Sequence, residues 1–489
     1  MKQGEQKINH KYLRRLPDGK GGWKYVYQES HEKLSTQHQK ANEMKKHPFQ
    51  IELSPATMAI ISRLKDAGHE SYVVGGAVRD SLMGKKPKDF DIVTSAHPKQ
   101  IHELFGIPGS VGAKFAVNIV DGHEVATYRI DDAEATSAKE TSVSLASSLS
   151  EDVRRRDFTV NALAYDPVSK QVFDFVGGID DAKNRILRFV GDPDKRIKQD
   201  PLRMLRAIRF ANSKGMDIEV ESFKALQRNM PLIKKEAPER ISSELLKMLE
   251  SRDIITGLTL MLTTGFFKEV IPELQEGHEV EQNRHHGESI LLHNMLAADA
   301  IKKQDPILKL ALLLHDVGKV KTKQFNPEIN DYNFLGHEVV GAKMAVKIMK
   351  RLKFSTTDIE RVDNIIRHHM YYFTDETKDK TIKKFMALPE FKNILRARLA
   401  DRKANLAKKG VPYSFKKLVK RIRVIQTTKQ PLSTKDLAVN GNDLIGLGIR
   451  PGPLFGRFLN NALEIVLENP EQNKREILLE FAKREFDIK

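Results

Sequence analysis

The sequence predicts an α+β protein, a small mixed β-sheet head followed by a mostly α-helical body. Between Ser54 and Asp181 the short β-rich stretches YVVGG, DFDIVT, AVNIV and HEVATYRI interleave with helical ones. After Asp200 apolar residues recur at helical spacing almost to the end of the chain. Proline and glycine break that run at PELQEG, LHDVGK, GVPYSF and GIRPGP, which mark helix boundaries.

Taken in order, residues 1–48 are polar and basic, carry the only tryptophan (Trp23), and are expected to form an appended, flexible leader. SPATMAIISRLKDAG predicts a helix capped by Ser54. The apolar Ser71–Val74 predicts a strand, and Gly75 and Gly76 then let backbone N–H groups approach an anion before the helix that carries Arg79. Asp131–Ser150 is polar and lacks periodicity, so a mobile loop beside the site is expected. PLRMLRAIRFANSKG predicts a helix ending at Gly215, and PERISSELLKMLES begins another. The expected units are the leader, a sheet head at 49–181, a helical neck at 182–275, a helical domain at 276–405 and a helical C-terminal body at 406–489. No fixed-period repeat is present.

At 489 residues, with 40% hydrophobic and 30% charged residues, the composition is that of a soluble globular protein of several packed units. The net charge of +17 favours a polyanionic partner, with RNA or DNA ahead of an acidic membrane surface. The absence of cysteine excludes disulfides, thiolate metal sites and cysteine nucleophiles. No apolar run approaches the roughly 18 to 20 residues that a membrane span requires. The opening MKQGEQKINHKYLRR lacks the apolar core of a secretory signal, so a cytoplasmic location is expected.

The chemistry concentrates in GGAVRD and KDFDIVT. Side chains alternate along a strand, so Asp89 and Asp91 share one side while Phe90 and Ile92 turn to a core. Two carboxylates on one strand face suit magnesium, and Glu124 in HEVATYRI is the candidate third acid. The order of strand, Gly75-Gly76, Arg79, Asp80 and then Asp89-x-Asp91 resembles the nucleotidyltransferase core shared by tRNA CCA-adding enzymes and bacterial poly(A) polymerases, within the polymerase-β superfamily. The resemblance implies two-metal nucleotidyl transfer, with Asp89 and Asp91 as bridging ligands and Gly75, Gly76 and Arg79 at the triphosphate. EDVRRRDFTVNALAYD matches the family's second motif, which implies that Arg156 and Asp157 contact triphosphate and ribose with Asn161 in support.

The third element is GDPDKRIKQDPLRMLRAIRFA, where Asp200, Arg203, Arg206 and Arg209 recur every third residue. On an α-helix each step of three drifts by about 60°, so a spiralling row is expected. The plain alternative is an i,i+3 ion pair on a wet helix, worth about 0.2–0.5 kcal/mol. The functional reading is that Asp200, an obligate acceptor, and Arg203, an obligate donor, pair with cytosine or adenine and leave groups unsatisfied against uracil or guanine. The family's pair follows a glutamate. Here that position is Gln199, which keeps an acceptor and loses the charge. Arg206 and Arg209 are expected to reach phosphates or the primer end.

A second centre is expected in HHGESILLHNMLAADA, KLALLLHDVGK and LGHEVVGAK. Imidazoles and carboxylates drawn from several helices suit a divalent metal, whose bound water attacks phosphoester phosphorus. The pattern resembles an HD-type phosphohydrolase domain, all α-helical. The resemblance implies His293, His315, Asp316 and Asp401 as ligands, with His337 and His368 as additional ones and the metal's identity open. In the basic Lys378–Arg423 stretch the interleaved aromatics are read as core and the charges as solvated faces. The last segment resembles the C-terminal tail of HD-containing CCA-adding enzymes and is expected to hold the tRNA elbow.

The reading that unites these features is a tRNA nucleotidyltransferase adding the 3′-terminal CCA, with the tRNA 3′ end, CTP and ATP as partners and neither a membrane nor a protein partner implied. Poly(A) polymerase is the close alternative because its core and adenine-compatible pair are the same. An enzyme acting mainly as an HD hydrolase, or a silent RNA-binding protein, are the readings from other classes.

Overall fold

The computed structural model describes residues 13–17, 23–27, 44–107, 117–131, 143–284, 286–407 and 410–487. The chain divides into two compact units, Met1–Gln275 and Glu276–Lys489. Among the described residues no helix is long and apolar enough to cross a membrane.

The first unit opens on an antiparallel hairpin of β1 (Leu13–Pro17) and β2 (Trp23–Tyr27). Its main sheet has seven strands: β3 (Lys45–Pro48), β4 (Ser71–Val74), β5 (Asp91–Thr94), β6 (Val117–Val120), β7 (His123–Thr127), β10 (Leu163–Asp166) and β11 (Gln171–Asp174), in the order β3-β11-β10-β4-β5-β7-β6. Between β7 and β10, β8 (Arg129–Asp131) and β9 (Val143–Leu145) form a separate antiparallel pair. Only β5 and β7 run parallel in the main sheet, which makes it mixed, as expected. The sheet takes in Lys45–Pro48, so the head begins inside the expected leader; these four largely exposed residues show no apolar alternation that would reveal a strand. Residues 132–142, the centre of the expected loop, lie outside the described residues, while its flanks are regular.

Both faces of the sheet are covered. Val73, Ile92 and Val125 pack with Ile60, Ile61 and Leu64 of α1 (Pro55–Asp66) and Val78 of α2 (Gly76–Leu82). On the other face Val74 and Val93 pack with Tyr128, Val190 and Val153, the last from α4 (Leu149–Arg154). Between these elements lies α3 (Pro98–Phe105). Ser54 caps α1, its Oγ accepting from the Thr57 N–H at 3.0 Å. Beyond α5 (Gly178–Asn184), the neck consists of α6 (Pro193–Gln199), α7 (Arg203–Lys214), α8 (Val220–Asn229) and α9 (Pro238–Leu249), together with further helices to Gln275. The expected single helical row from Asp200 to Arg209 is corrected here. Asp200 ends α6 in extended conformation (φ −148°, ψ 95°), and α7 starts at Arg203. Pro201 is the cause, because a residue before proline is pushed out of helical geometry.

In the second unit the helices Ile290–Asp299, Pro306–Leu314, His337–Arg351, Thr356–His368 and Phe391–Ala404 pack together. Asp379–Met386 and Tyr413–Thr427 share a core around Ile382 and Ile422, and the C-terminal helices close around Phe458. A short hairpin, Gln324–Asn326 with Asp331–Asn333, interrupts the helices. Gly318 sets one close approach: a methyl there would lie 2.2 Å from the His337 carbonyl oxygen and 2.6 Å from the Gly341 nitrogen. That contact brings the start of the His337 helix against the turn after Asp316. Gly318→Ala is therefore expected to lower the unfolding free energy by about 1–3 kcal/mol in urea denaturation. Gly446→Ala, whose methyl meets no atom within 4 Å, should stay within about 0.5 kcal/mol of the parent.

Candidate active sites

The carboxylates of the head converge through strand register. Ile92 of β5 pairs with Val125 of β7, so Asp91 and Glu124, one residue earlier on each strand, stand level on the opposite face. Phe90 packs against the core that buries Ile92, which leaves Asp89 exposed on Asp91's side. Asp91 is exposed to solvent as a residue, yet its carboxyl is raised above its ordinary value. Loss of water by burial is the main cause, reinforced by Glu124 and Asp89 and opposed by Arg156. An all-oxygen donor set whose members repel one another fits a hard divalent cation.

Around this face lies a chain of charged and polar groups. Arg156 donates through Nη2 and Nε to Asp152 Oδ2, at 3.0 and 3.3 Å. Its Nη1 lies 3.4 Å from where a side chain on Gly75 would begin, and Gly75 has a positive φ of 70°. Glycine meets the demand of that positive φ. Arg79 is buried; it donates to Asn161 Oδ1 and Asp80 Oδ1 and lies over the Phe210 ring. Its visible role is to hold Asn161. Asn161 Nδ2 donates to Asp157 Oδ1 at 3.1 Å, and Arg206 Nη2 lies 2.6 Å from Asp157 Oδ2, an ion pair without hydrogen-bond alignment. Lys214 closes the chain on Asp80 at 2.9 Å. Arg209 is bound to Glu244 of α9 at 2.7 Å and lies against Phe210.

The expected base-reading pair does not form an i,i+3 ion pair. Asp200 Oδ1 accepts from the Leu202 N–H and from Arg240 Nη2, each at 3.3 Å. Arg203 Nη1 donates to the Arg196 carbonyl at 2.9 Å and to Gln199 Oε1 at 3.1 Å. The amide at position 199 therefore supplies the acceptor the sequence left to it.

The second unit gathers four histidines and two aspartates. His293 is fully buried, with Nδ1 3.0 Å from Glu288 Oε1 and Nε2 3.0 Å from Asp401 Oδ1. His315, His337 and His369 each direct Nδ1 to a backbone carbonyl three residues earlier, at 2.7, 2.7 and 2.6 Å. A carbonyl only accepts, so in the neutral rings Nδ1 carries the proton and a bare Nε2 faces Asp316. Asp316 Oδ2 lies 3.3 Å from His315 Nε2 and 3.7 Å from His293 Nε2. Oδ1 lies 3.3 Å from His337 Nε2 and 3.7 Å from His369 Nε2. His315 Nε2, His337 Nε2 and Asp316 Oδ1 make no hydrogen bond although buried, so the donor set fits a divalent metal. Burial pushes His315 down to about 3. Burial also opposes protonation of His293, but Asp401 and Glu288 outweigh it and raise it to about 9. A cavity of about 680 Å³, lined by Tyr332, Tyr372, Arg398 and Arg402, opens beside His337 and His369.

One expected ligand is corrected: His369 enters the cluster and His368 does not. Val362, Ile365 and Ile366 form the buried stripe of that helix, and position 369 continues it while 368 falls beside it. Sequence reasoning also passed over Glu288, Lys319, whose Nζ is 2.6 Å from Asp316 Oδ2, and Asp152. The i,i+3 and i,i+4 spacings of Lys319 from Asp316 and of Arg156 from Asp152 were the available signals.

Family models match along the chain: the poly(A) polymerase head domain at residues 71–188, the probable RNA and SrmB-binding site of polymerase A at 215–277, and the HD domain at 275–405. The CCA-adding enzyme of Levilactobacillus brevis is 30% identical over 425 residues, covering 86% of this chain and 95% of its own. The chain belongs to the CCA-adding enzyme and poly(A) polymerase family. Escherichia coli O157:H7 poly(A) polymerase I is 39% identical over 237 residues, but the match spans 46% of this chain and 51% of that enzyme. Among solved structures of the family, the Bacillus stearothermophilus CCA-adding enzyme in complex with CTP aligns at a TM-score of 0.63 with 26% identity, covering 89% of this chain and 99% of that one.

For this family member Glu288→Gln is expected to weaken divalent-metal affinity about 10- to 100-fold in a chelator competition, because His293 loses the carboxylate that orients it. Burial works against the Asp152 charge, but Arg156 and Arg155 hold its carboxyl below the ordinary value. That contribution to stability is complete above the unfolded value of about 3.9 and is lost as the pH falls through the folded one. Urea denaturation should therefore show Asp152→Asn destabilised at pH 7, with the gap from the parent closing below about pH 4.

Proposed function

We propose that the chain is a tRNA nucleotidyltransferase that adds the 3′-terminal CCA from CTP and ATP in the cytoplasm. The observation that carries this reading is coverage: CCA-adding relatives align over 95% of their length, with the HD region included, whereas poly(A) polymerase I aligns over about half. The net charge of +17 supports an RNA partner.

In this reading Asp89, Asp91 and Glu124 hold Mg2+, which when bound lowers the pKa of the attacking 3′ hydroxyl and neutralises the departing pyrophosphate. Arg156, steadied by Asp152, engages the triphosphate over the Gly75-Gly76 backbone. Asp157, held by Arg206 and Asn161, lies toward the ribose. Asp200 accepts from the exocyclic amine of cytosine or adenine, and Arg203 donates to the adjacent ring nitrogen. Uracil and guanine would set a carbonyl against the carboxylate and an N–H against the guanidinium. A second reading applies to the other unit: a metal-dependent phosphohydrolase, favoured by the bare Nε2 atoms around Asp316.

Transfer RNA lacking its terminal triplet, offered CTP alone, ATP alone and both, tests the first reading. Addition of C residues followed by one A is expected, and a long A tail contradicts it. Asp89→Ala should abolish incorporation while sparing any metal-dependent phosphate release, and His315→Ala should do the reverse.

A further inference from the structure

Arg196 is not among the residues assigned to nucleotide, yet its guanidinium is heavily bonded within the head and neck. Nε donates to the Val190 carbonyl at 3.1 Å, Nη2 to the Arg154 carbonyl, and Nη1 to the Arg155 carbonyl at 3.5 Å and to Gln199 Oε1 at 3.0 Å. Arg154 and Arg155 directly precede Arg156. Gln199 Oε1 accepts at the same time from Arg203 Nη1 at 3.1 Å, and Arg203 Nη2 reaches the Arg155 carbonyl at 3.5 Å. Two guanidinium groups thus share one neutral amide oxygen, and both are tied to the backbone at the C-terminal end of α4, next to Arg156.

We propose that Arg196 and Gln199 are positioning residues that aim Arg203 relative to the Arg156 loop, so that base choice and triphosphate placement are set as one unit. The proposal rests on Arg203 being the base selector. A neutral acceptor holds the two cations through geometry, without the added strength of a charged partner. Lysine at 196 presents a point charge in place of a planar fork, so it cannot reproduce the contacts to Val190, Arg154 and Gln199 together.

The test is the ratio of kcat/KM for CTP to that for UTP on tRNA lacking its terminal triplet, a ratio independent of how much enzyme is folded. Arg203→Ala should reduce the ratio; an unchanged ratio removes the base-selector reading and this proposal with it. Given that reduction, Arg196→Lys and Gln199→Leu should each raise KM for CTP and lower the ratio about tenfold or more, as expected when a polar discriminating contact is lost. Gln199→Glu, which keeps an acceptor oxygen at that position, should retain the parent ratio. Parent-like ratios in Arg196→Lys and Gln199→Leu, or equal losses in Gln199→Leu and Gln199→Glu, would overturn the proposal.

Discussion

The strand register that gathers Asp89, Asp91 and Glu124 on one face is the constraint on which the head's site depends. The parallel register of β5 and β7 sets Asp91 level with Glu124, and the core packing of Phe90 and Ile92 turns Asp89 to the same side. Burial and like charge raise the Asp91 carboxyl, and Arg156 is the opposing influence. The strands beneath are fixed by two covered faces, and the carboxylates above them suit a hard cation.

Pairing of buried and half-buried charge links α2 and the segment after Arg156 to the neck. Lys214, Asp80, Arg79, Asn161, Asp157 and Arg206 run in sequence from one end of α7, through α2 and the Arg156 loop, back to the middle of α7. Removing the buried Arg79 strands Asn161 and Asp80, which costs more than either contact contributes. The helix that begins at Arg203 is therefore tied to α2 and to the Asp157–Asn161 segment by ionic contacts. Protein side chains can replace a template only if that attachment is firm.

Much of this was legible in the sequence because the chemistry follows short periods. Alternation placed Asp89 and Asp91 together, and turn chemistry marked Gly75, where the structure has a positive φ. The break at Asp200 was written in Pro201 but masked by the arginine at every third position, which imitates a continuous helix. His369 could have been chosen over His368 by phasing with Val362, Ile365 and Ile366. Lys45–Pro48 gave no signal, since an exposed edge strand of four residues has no apolar face to display. Glu288 and Asp152 were invisible for another reason: each serves by orienting a histidine or an arginine, and sequence pattern marks the group that is oriented more plainly than the one that orients it.

The two centres differ in donor chemistry, oxygen alone in the head and imidazole with carboxylate in the second unit, so their metals can be told apart. Electron paramagnetic resonance of Mn2+ bound to the His315→Ala chain, with and without Asp91→Asn, isolates the head. A Mn2+ site that tightens with CTP is expected in His315→Ala and should vanish together with C incorporation when Asp91→Asn is added. Retention of both the signal and incorporation in the double variant would contradict the assignment of the carboxylate face as the transfer centre.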